Sequence, residues 1–201
     1  MLSNLYERKL ARQGFRLIAG VDEVGRGPLA GPIVAAAVIL PKNFSLPGLN
    51  DSKKLTPKSR ERLFVEIKRA ALGVGIAAVS HRLIDRLGIG RANFLVMKMA
   101  VEKLTIEPEY LLLDGGRSRL ALPIAQIGIT GGDGKCASIA AASIMAKVTR
   151  DRLMIKYHEK FPLYGFAQHK GYGTKDHLKK LARYGPCNIH RRSFFPVSEM
   201  A

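Results

Sequence analysis

Short apolar segments alternate with amphipathic segments along most of the chain, and this alternation limits the possible folds more than any other feature. Segments such as RLIAGV, GPIVAAAVIL and GVGIAAVS are apolar and bounded by glycine, proline or polar residues, which is typical of buried strands. The segments at 57–72, 81–104 and 136–161 have the composition and spacing of helices. Strands that alternate with helices predict an α/β domain in which helices are layered on a central sheet.

Several element boundaries are also indicated. Thr56 followed by Pro57 is a typical helix start, and Ser80 is a second candidate N-cap. A short amphipathic helix is expected within residues 4–13 and another at 174–184. With 201 residues and no internal repeat or evident linker, we expect one domain over 1–201, ending in a basic segment at about 162–201 that is rich in Gly, His, Lys and Arg.

The charge of the chain is unusual. The chain contains thirty-three Lys and Arg residues but only sixteen Asp and Glu residues, which gives a formal net charge of +17. Such a charge favours a polyanionic partner, with nucleic acid first and an anionic membrane second, over a merely well-solvated surface. The longest nearly apolar stretch, GPLAGPIVAAAVIL, contains two prolines and is shorter than the roughly 20 residues that a spanning helix needs. We therefore expect no membrane association.

The compartment is indicated by two weaker signals. The N-terminal segment MLSNLYERKLARQG lacks the apolar core of a signal peptide. The two cysteines, Cys136 and Cys187, do not have metal-ligand spacing and favour a reducing environment. A cytoplasmic location is the expectation.

Acidic residues follow three of the apolar segments. Asp22 and Glu23 follow RLIAGV, Asp114 ends EYLLLD, and Asp133 comes after IAQIGIT and a short glycine turn. Ligand sites in α/β sheets gather at the carboxyl ends of strands, and clustered carboxylates repel one another unless a cation lies among them. Oxygen ligands without His or Cys favour Mg²⁺ or Mn²⁺. The sequence therefore predicts a divalent-metal site.

The local geometry limits how the first two acids share this site. Neighbouring side chains on a strand point to opposite faces, so Asp22 and Glu23 are expected to share a metal cluster only where the strand turns, at Gly25. Each acid taken singly is also compatible with an ordinary loop or cap role, and Asp133 with helix-end electrostatics. A non-catalytic basic RNA-binding protein explains the charge, but acids at three strand ends would weaken its binding to phosphates.

Six segments, in the same order from about residue 17 to 197, carry a family resemblance: GVDEVGRGPLAGPIVAAAVIL, NDSKKLT, LLLDG, GDGKCASIAAASIMAKVTRD, YGFAQHKGYGT and HRRSFFPV. Together they resemble ribonuclease HII of the bacterial type. The resemblance implies the ribonuclease H fold, a mixed five-stranded sheet flanked by helices. It also implies a monomeric, metal-dependent endoribonuclease that uses Mn²⁺ or Mg²⁺, with a two-metal mechanism.

The same resemblance implies the substrates. They are RNA–DNA hybrids, whose RNA strand is cut, and duplex DNA carrying embedded ribonucleotides, which is nicked on their 5′ side as in ribonucleotide excision repair. The expected products carry 5′-phosphate and 3′-hydroxyl ends. A nuclease of the same fold that acts only on DNA, such as a junction resolvase, is disfavoured by the glycine–arginine–glycine turn.

Specific residues are assigned by the resemblance. The metal-binding and catalytic acids are Asp22, Glu23, Asp114 and Asp133, and the substrate-binding residues are Gly25, Arg26, Gly27 and Tyr172. Lys53 and Lys54 are expected to contact backbone phosphates, while His169, Lys170, Arg191 and Arg192 are expected on the basic surface. Gly131 stands where many relatives carry lysine.

The glycine–arginine–glycine turn suits a ribose. The 2′-hydroxyl is the sugar group that distinguishes RNA from DNA, and it can both donate and accept hydrogen bonds. Gly25 and Gly27 allow the backbone to approach such a sugar, and Arg26 can offer its backbone to the hydroxyl and its guanidinium to a phosphate.

Overall fold

The computed structural model describes residues 4–42, 44–52, 55–116 and 118–200. The described strands are β1 Ile18–Val24, β2 Ile33–Ile39, β3 Gly73–Val79, β4 Tyr110–Asp114 and β5 Ala125–Ile129. The described α-helices are α1 Leu5–Arg12, α2 Pro57–Ala70, α3 His81–Leu87, α4 Ile89–Glu102, α5 Ala137–Lys160, α6 Phe166–His169 and α7 Lys175–Tyr184.

The five strands form one mixed sheet in the order β3-β2-β1-β4-β5. Strand β2 is antiparallel to both β1 and β3, whereas β1, β4 and β5 run parallel to one another. The carboxyl ends of these three parallel strands therefore meet at one edge, as the α/β interpretation requires. The predicted mixed five-stranded sheet with flanking helices is confirmed.

Helices cover both faces of the sheet. Helix α4 packs on one face, and α5 with α2 packs on the other. All residues of β2 are buried, because alternate side chains enter the two cores, and this explains the continuous apolar run in the sequence. Helix α5 lies so close to β1 that a Cβ on Gly20 would be 2.1 Å from the Ser138 carbonyl carbon. Ala140, Ala141 and Ala142 are buried in this contact, as expected of packing residues.

The helix N-termini lie where the sequence predicts them, but the end of strand β1 does not. Thr56 and Ser80 both cap their helices, accepting hydrogen bonds from the backbone N–H groups of Ser59 and Leu83. The sequence places Asp22 and Glu23 after the strand RLIAGV, whereas β1 continues through both acids to Val24. Antiparallel pairing with β2 extends this far, so the turn begins only at Gly25.

The C-terminal part of the chain packs on the connection between β1 and β2, the 25–32 loop (Gly25–Pro32). Ala30 forms an isolated antiparallel bridge with His190. The N–H of Gly31 donates to the carbonyl of Ile189, and the N–H of Arg191 donates to that of Leu29. Among the described residues, no helix combines the length and apolar character needed to cross a membrane.

Candidate active site

The sheet register brings the first predicted acids together. Val21 pairs with Leu113 in the parallel β1–β4 ladder, so the next residues, Asp22 and Asp114, lie side by side at the carboxyl edge. Asp22 lies on the face covered by α5, where the nearby hydroxyl of Ser143 acts to lower its pKa. Glu23 follows it at the end of β1.

The fourth acid reaches the same edge from β5. A 3₁₀ turn over Gly132–Gly134 follows that strand and contains Asp133, which is buried. The N–H of Gly132 donates to Oδ1 of Asp114 at 2.7 Å, which ties the turn to the end of β4. Gly131 adopts a left-handed conformation with φ of 62°, a region that favours glycine.

The electrostatics of this edge are those of crowded carboxylates. Burial raises the pKa of Asp22 well above its ordinary value, and the charges of Glu23 and Asp114 raise it further. Burial also raises the pKa of Glu23, although Arg26, with a guanidinium nitrogen 3.6 Å from its carboxylate, opposes this shift. An added cation would therefore be stabilised here.

The donor set fits a hard divalent ion. Carboxylate oxygens are the ligands that Mg²⁺ and Mn²⁺ prefer, and the mutual repulsion of Asp22, Glu23 and Asp114 is the condition that such an ion relieves. Across the described ranges, no three or more His, Cys, Asp or Glu side chains form a ready-made metal site. The four-carboxylate site thus stays a prediction, supported by register and charge.

The glycine–arginine–glycine turn opens the 25–32 loop directly after the acids. Gly25 has φ of 101°, and a Cβ there would lie 2.4 Å from Nε of Arg150, so both its conformation and its surroundings require glycine. A Cβ on Gly27 would meet no atom within 4 Å. The Arg26 side chain is largely exposed. The fold therefore requires glycine at position 25. At position 27 the fold would accept a side chain, and glycine leaves open space at the surface.

Two fully buried arginines hold this loop. Arg150 of α5 donates to the carbonyls of Ala30, Pro32 and Lys170 at 3.0–3.2 Å. Arg191 donates to the carbonyls of Gly25, Arg26 and Gly31.

The expectation that Arg191 lies on the basic surface is wrong, because its side chain is buried and donates three hydrogen bonds to carbonyls of the loop. Arg192 is exposed, and His169 and Lys170 are half-buried. Sequence reasoning did not find Arg150 as a functional candidate at all, since no local pattern distinguishes it from a surface arginine of a long helix.

The structure brings Tyr172 next to the 25–32 loop. The N–H of Leu29 donates to the carbonyl of Gly171 at 2.8 Å. The guanidinium carbon of Arg150 lies 5.7 Å from the centre of the Tyr172 ring. Tyr172 nevertheless keeps 39% of its surface exposed. Tyr172 thus lies beside the loop that begins with the glycine–arginine–glycine turn.

A chain of histidines anchors the Tyr172 segment. Nδ1 of His177 lies 2.9 Å from the carbonyl oxygen of Tyr172, so this nitrogen is the donor. Nε2 of neutral His177 then accepts from Nε2 of His190 at 3.1 Å, and Nδ1 of His190 accepts from the N–H of Cys187. Burial lowers the pKa of both His177 and His190 to about 4. This ordered chain requires both rings to be neutral.

Lys53 and Lys54 lie outside the described residues. The residues beside them are anchored, because Arg60 donates to the carbonyls of Ser52 and Leu55 at 2.8 Å. The hydroxyl of Ser52 also forms a hydrogen bond of 2.8 Å with that of Ser143, the α5 residue that acts to lower the pKa of Asp22. The phosphate contacts predicted for the two lysines remain a prediction.

Known proteins similar to this chain agree with the resemblance. The family model described as Ribonuclease HII matches residues 19–197. A ribonuclease HII of Geobacter sulfurreducens is 55% identical over 194 residues, covering 96% of this chain and 89% of the relative.

Solved structures share the fold. The ribonuclease H2 of Pyrococcus horikoshii OT3 superposes with a TM-score of 0.78 at 28% identity, covering 91% of this chain and 96% of the other. Bst-RNase HIII in complex with Mn²⁺ superposes with a TM-score of 0.70 at 18% identity, covering 94% of this chain and 71% of the other. At that identity the second likeness concerns the fold alone.

Proposed function

The chain belongs to the ribonuclease HII family and is therefore an endoribonuclease with ribonuclease H activity, and from this premise we propose that it nicks duplex DNA on the 5′ side of embedded ribonucleotides as well as cutting the RNA strand of RNA–DNA hybrids. The products would carry 5′-phosphate and 3′-hydroxyl ends. The observation that carries the proposal is the continuity of β1 with the 25–32 loop. Acids suited to metal-assisted hydrolysis and glycines suited to a ribose are separated by one residue, Val24.

The carboxylates would hold the metal. Asp22, Glu23, Asp114 and Asp133 supply hard oxygen donors at the carboxyl edge of three parallel strands. When bound there, divalent ions would lower the pKa of an attacking water and stabilise the negative charge on the departing 3′ oxygen. Mn²⁺ and Mg²⁺ both suit this donor set, and the Mn²⁺ of Bst-RNase HIII is bound by a protein of the same fold.

The 25–32 loop and Tyr172 would place the scissile phosphate relative to a 2′-hydroxyl. Open space beside Gly27 leaves room for a sugar that a Cβ would hold away. The partly exposed ring of Tyr172 lies near Arg150, which holds this loop, and would contact the same sugar from the other side. Because DNA lacks the 2′-hydroxyl, contacts of this kind distinguish the two sugars.

The positive surface would bind the duplex. A net charge of +17 favours nucleic acid, and Arg26, Lys53 and Lys54 are the residues proposed to contact phosphates. Such contacts position the substrate without reading its sequence. Specificity then comes from the sugar.

Cleavage of two matched duplexes tests the proposal. One DNA duplex carries a single ribonucleotide, and its control carries hydrogen in place of that 2′-hydroxyl. Single-turnover cleavage with Mn²⁺ or Mg²⁺ should nick only the first duplex, on the 5′ side of the ribonucleotide, and chelation of the metal should abolish the reaction. Equal cleavage of both duplexes, or cleavage after chelation, would overturn the proposed function.

A further inference from the structure

Arg150 and Arg191 are buried cations whose partners are backbone carbonyls. Both side chains have no exposed surface, and neither forms an ion pair within 4 Å in the described part of the chain. Removing a charge from water is costly unless hydrogen bonds compensate it. Six carbonyl acceptors, three for each guanidinium, provide this compensation. The hydrogen-bond donors of both arginines are therefore used to fix the positions of backbone carbonyl groups.

The hydrogen bonds of Arg191 fix the direction of two peptide groups. Its terminal nitrogens donate to the carbonyl oxygens of Gly25 at 2.6 Å and Arg26 at 2.9 Å. In a trans peptide the N–H points opposite to the C=O. With both carbonyls directed inward at Arg191, the N–H groups of Arg26 and Gly27 point away from it. Within the described residues neither N–H donates a hydrogen bond.

Arg150 also joins the loop to the segment that carries Tyr172. Arg150 contacts the far side of the loop at Ala30 and Pro32 while it holds the carbonyl of Lys170, two residues before Tyr172. The loop and the Tyr172 segment are therefore held by the same side chain, Arg150. A shift of either would change the space between the outward N–H groups and the tyrosine ring.

We propose that Arg191, assisted by Arg150, is a positioning residue for ribose discrimination: it turns the N–H groups of Arg26 and Gly27 outward as donors to the 2′-hydroxyl. The inference rests on the proposed function, since it needs the 25–32 loop to contact the sugar. Arg191 itself is buried and touches no substrate. Its effect on specificity is exerted entirely through the loop backbone.

A conservative variant tests this role. Arg191→Lys keeps a cation but offers one nitrogen where the guanidinium offers a planar fork to three carbonyls. We expect the single-turnover rate on the ribonucleotide duplex to fall on the order of 10²-fold through misplacement of the loop. The rate ratio between this duplex and its 2′-deoxy control should fall with it, while the Kd for the uncut duplex stays within about twofold, since phosphate contacts set affinity. Arg192→Lys, at the exposed neighbouring position, is the matched control and should keep the parent ratio.

The outcomes separate this inference from the proposed function. If the parent protein cuts both duplexes equally, the proposed function fails. If the parent discriminates and folded Arg191→Lys keeps the parent ratio, the positioning role fails while the function stands. A merely structural role would lower the melting temperature without changing the ratio measured well below it.

A measurement on the parent protein covers the case in which the variant does not fold. The amides of Arg26 and Gly27 should exchange rapidly with solvent in the free protein, as seen by NMR on ¹⁵N-labelled material. They should become protected when a ribonucleotide duplex is bound without metal, and less so with the 2′-deoxy duplex. Amides that are already protected in the free protein, or protected equally by both duplexes, would overturn the inference.

Discussion

Two groups of buried charge lie side by side at this end of the sheet, and they are stabilised in opposite ways. The carboxylates of Asp22, Glu23 and Asp114 repel one another, and burial and repulsion together raise the pKa of Asp22. The guanidiniums of Arg150 and Arg191 each donate three hydrogen bonds to backbone carbonyls, five of them in the 25–32 loop and one at Lys170. The first group gains from an added cation, whereas the second is satisfied within the chain. The comparison indicates that the acids serve a ligand and the arginines serve the scaffold.

The largest effect on cleavage is expected from substitution of one of the clustered acids. Asp114→Asn keeps an oxygen for the N–H of Gly132 but removes a charge from the predicted metal site. Single-turnover cleavage at saturating Mn²⁺ should fall at least about 10³-fold. The free energy of unfolding, measured in urea, should stay within about 1 kcal/mol or rise, because one repelling charge is lost. Asp176→Asn, at an exposed acid of α7, should leave cleavage unchanged. A near-parent rate for Asp114→Asn would contradict the metal assignment.

Substitution of a buried arginine should mainly lower the free energy of unfolding. Arg150→Met preserves most of the side-chain volume but leaves three carbonyls without donors, and the free energy of unfolding should fall by about 4 kcal/mol. Arg152→Met removes a half-exposed arginine two residues further along α5, where the ion pair with Glu61 contributes little. Urea unfolding of the two variants provides the comparison. Equal losses would show that the carbonyl bonds are not the reason for burying Arg150.

A third group of buried titratable side chains, His177 and His190, sharpens the contrast because it must stay neutral. Protonation would place N–H groups on both Nε2 atoms of a pair 3.1 Å apart. Since the folded pKa of each is about 4 and the ordinary value is 6.5, the unfolded chain binds more protons between these values.

The free energy of unfolding should therefore fall as the pH is lowered from about 7 to 4, by about 3 kcal/mol for one imidazole. Charges near His177 modify this in both directions, since His169 and Lys180 lower its pKa and Asp176 raises it. Urea unfolding at several pH values measures the slope. His190→Gln should reduce that slope, and an unchanged slope would assign the acid sensitivity to other groups.

The smallest effect separates two glycines of the same turn. Gly27→Val fills open space, so it should slow cleavage of the ribonucleotide duplex about 10²-fold while stability stays within about 1 kcal/mol. Gly25→Val should lower stability as well, because its φ of 101° and its contact with Arg150 exclude a side chain. Gly90→Val, also without neighbours within 4 Å, is the control. Parent-like cleavage by Gly27→Val would show that no sugar approaches there.

The sequence predicts the acid group better than the arginine group, for a physical reason. Each acid follows a short apolar segment, and strand ends meet at one edge in any parallel arrangement, so local patterns suffice for Asp22 and Asp114. The predicted turn at Gly25 agrees with the structure, but pairing with β2 carries β1 on to Val24, so Asp22 and Glu23 lie within the strand.

The arginines could not be recognised in this way. The acceptors of Arg191 lie 160–166 residues away along the chain, and they are carbonyl groups that every residue possesses. No residue type or spacing therefore marks the contact. Basic composition suggested a surface role for Arg191, and only the packing of the C-terminal segment on the 25–32 loop shows that it is internal.

The distance of Arg191 from the loop along the chain has a consequence for the order in which the enzyme is completed during synthesis. The two strands and the 3₁₀ turn that carry Asp22, Asp114 and Asp133 are synthesised before α5 begins. The shape of the 25–32 loop, by contrast, depends on a side chain that emerges 165 residues after Arg26. The acidic edge is therefore synthesised well before the arginine that orients the loop backbone proposed to contact the ribose. On our proposal, sugar selectivity is the last property that this polypeptide acquires.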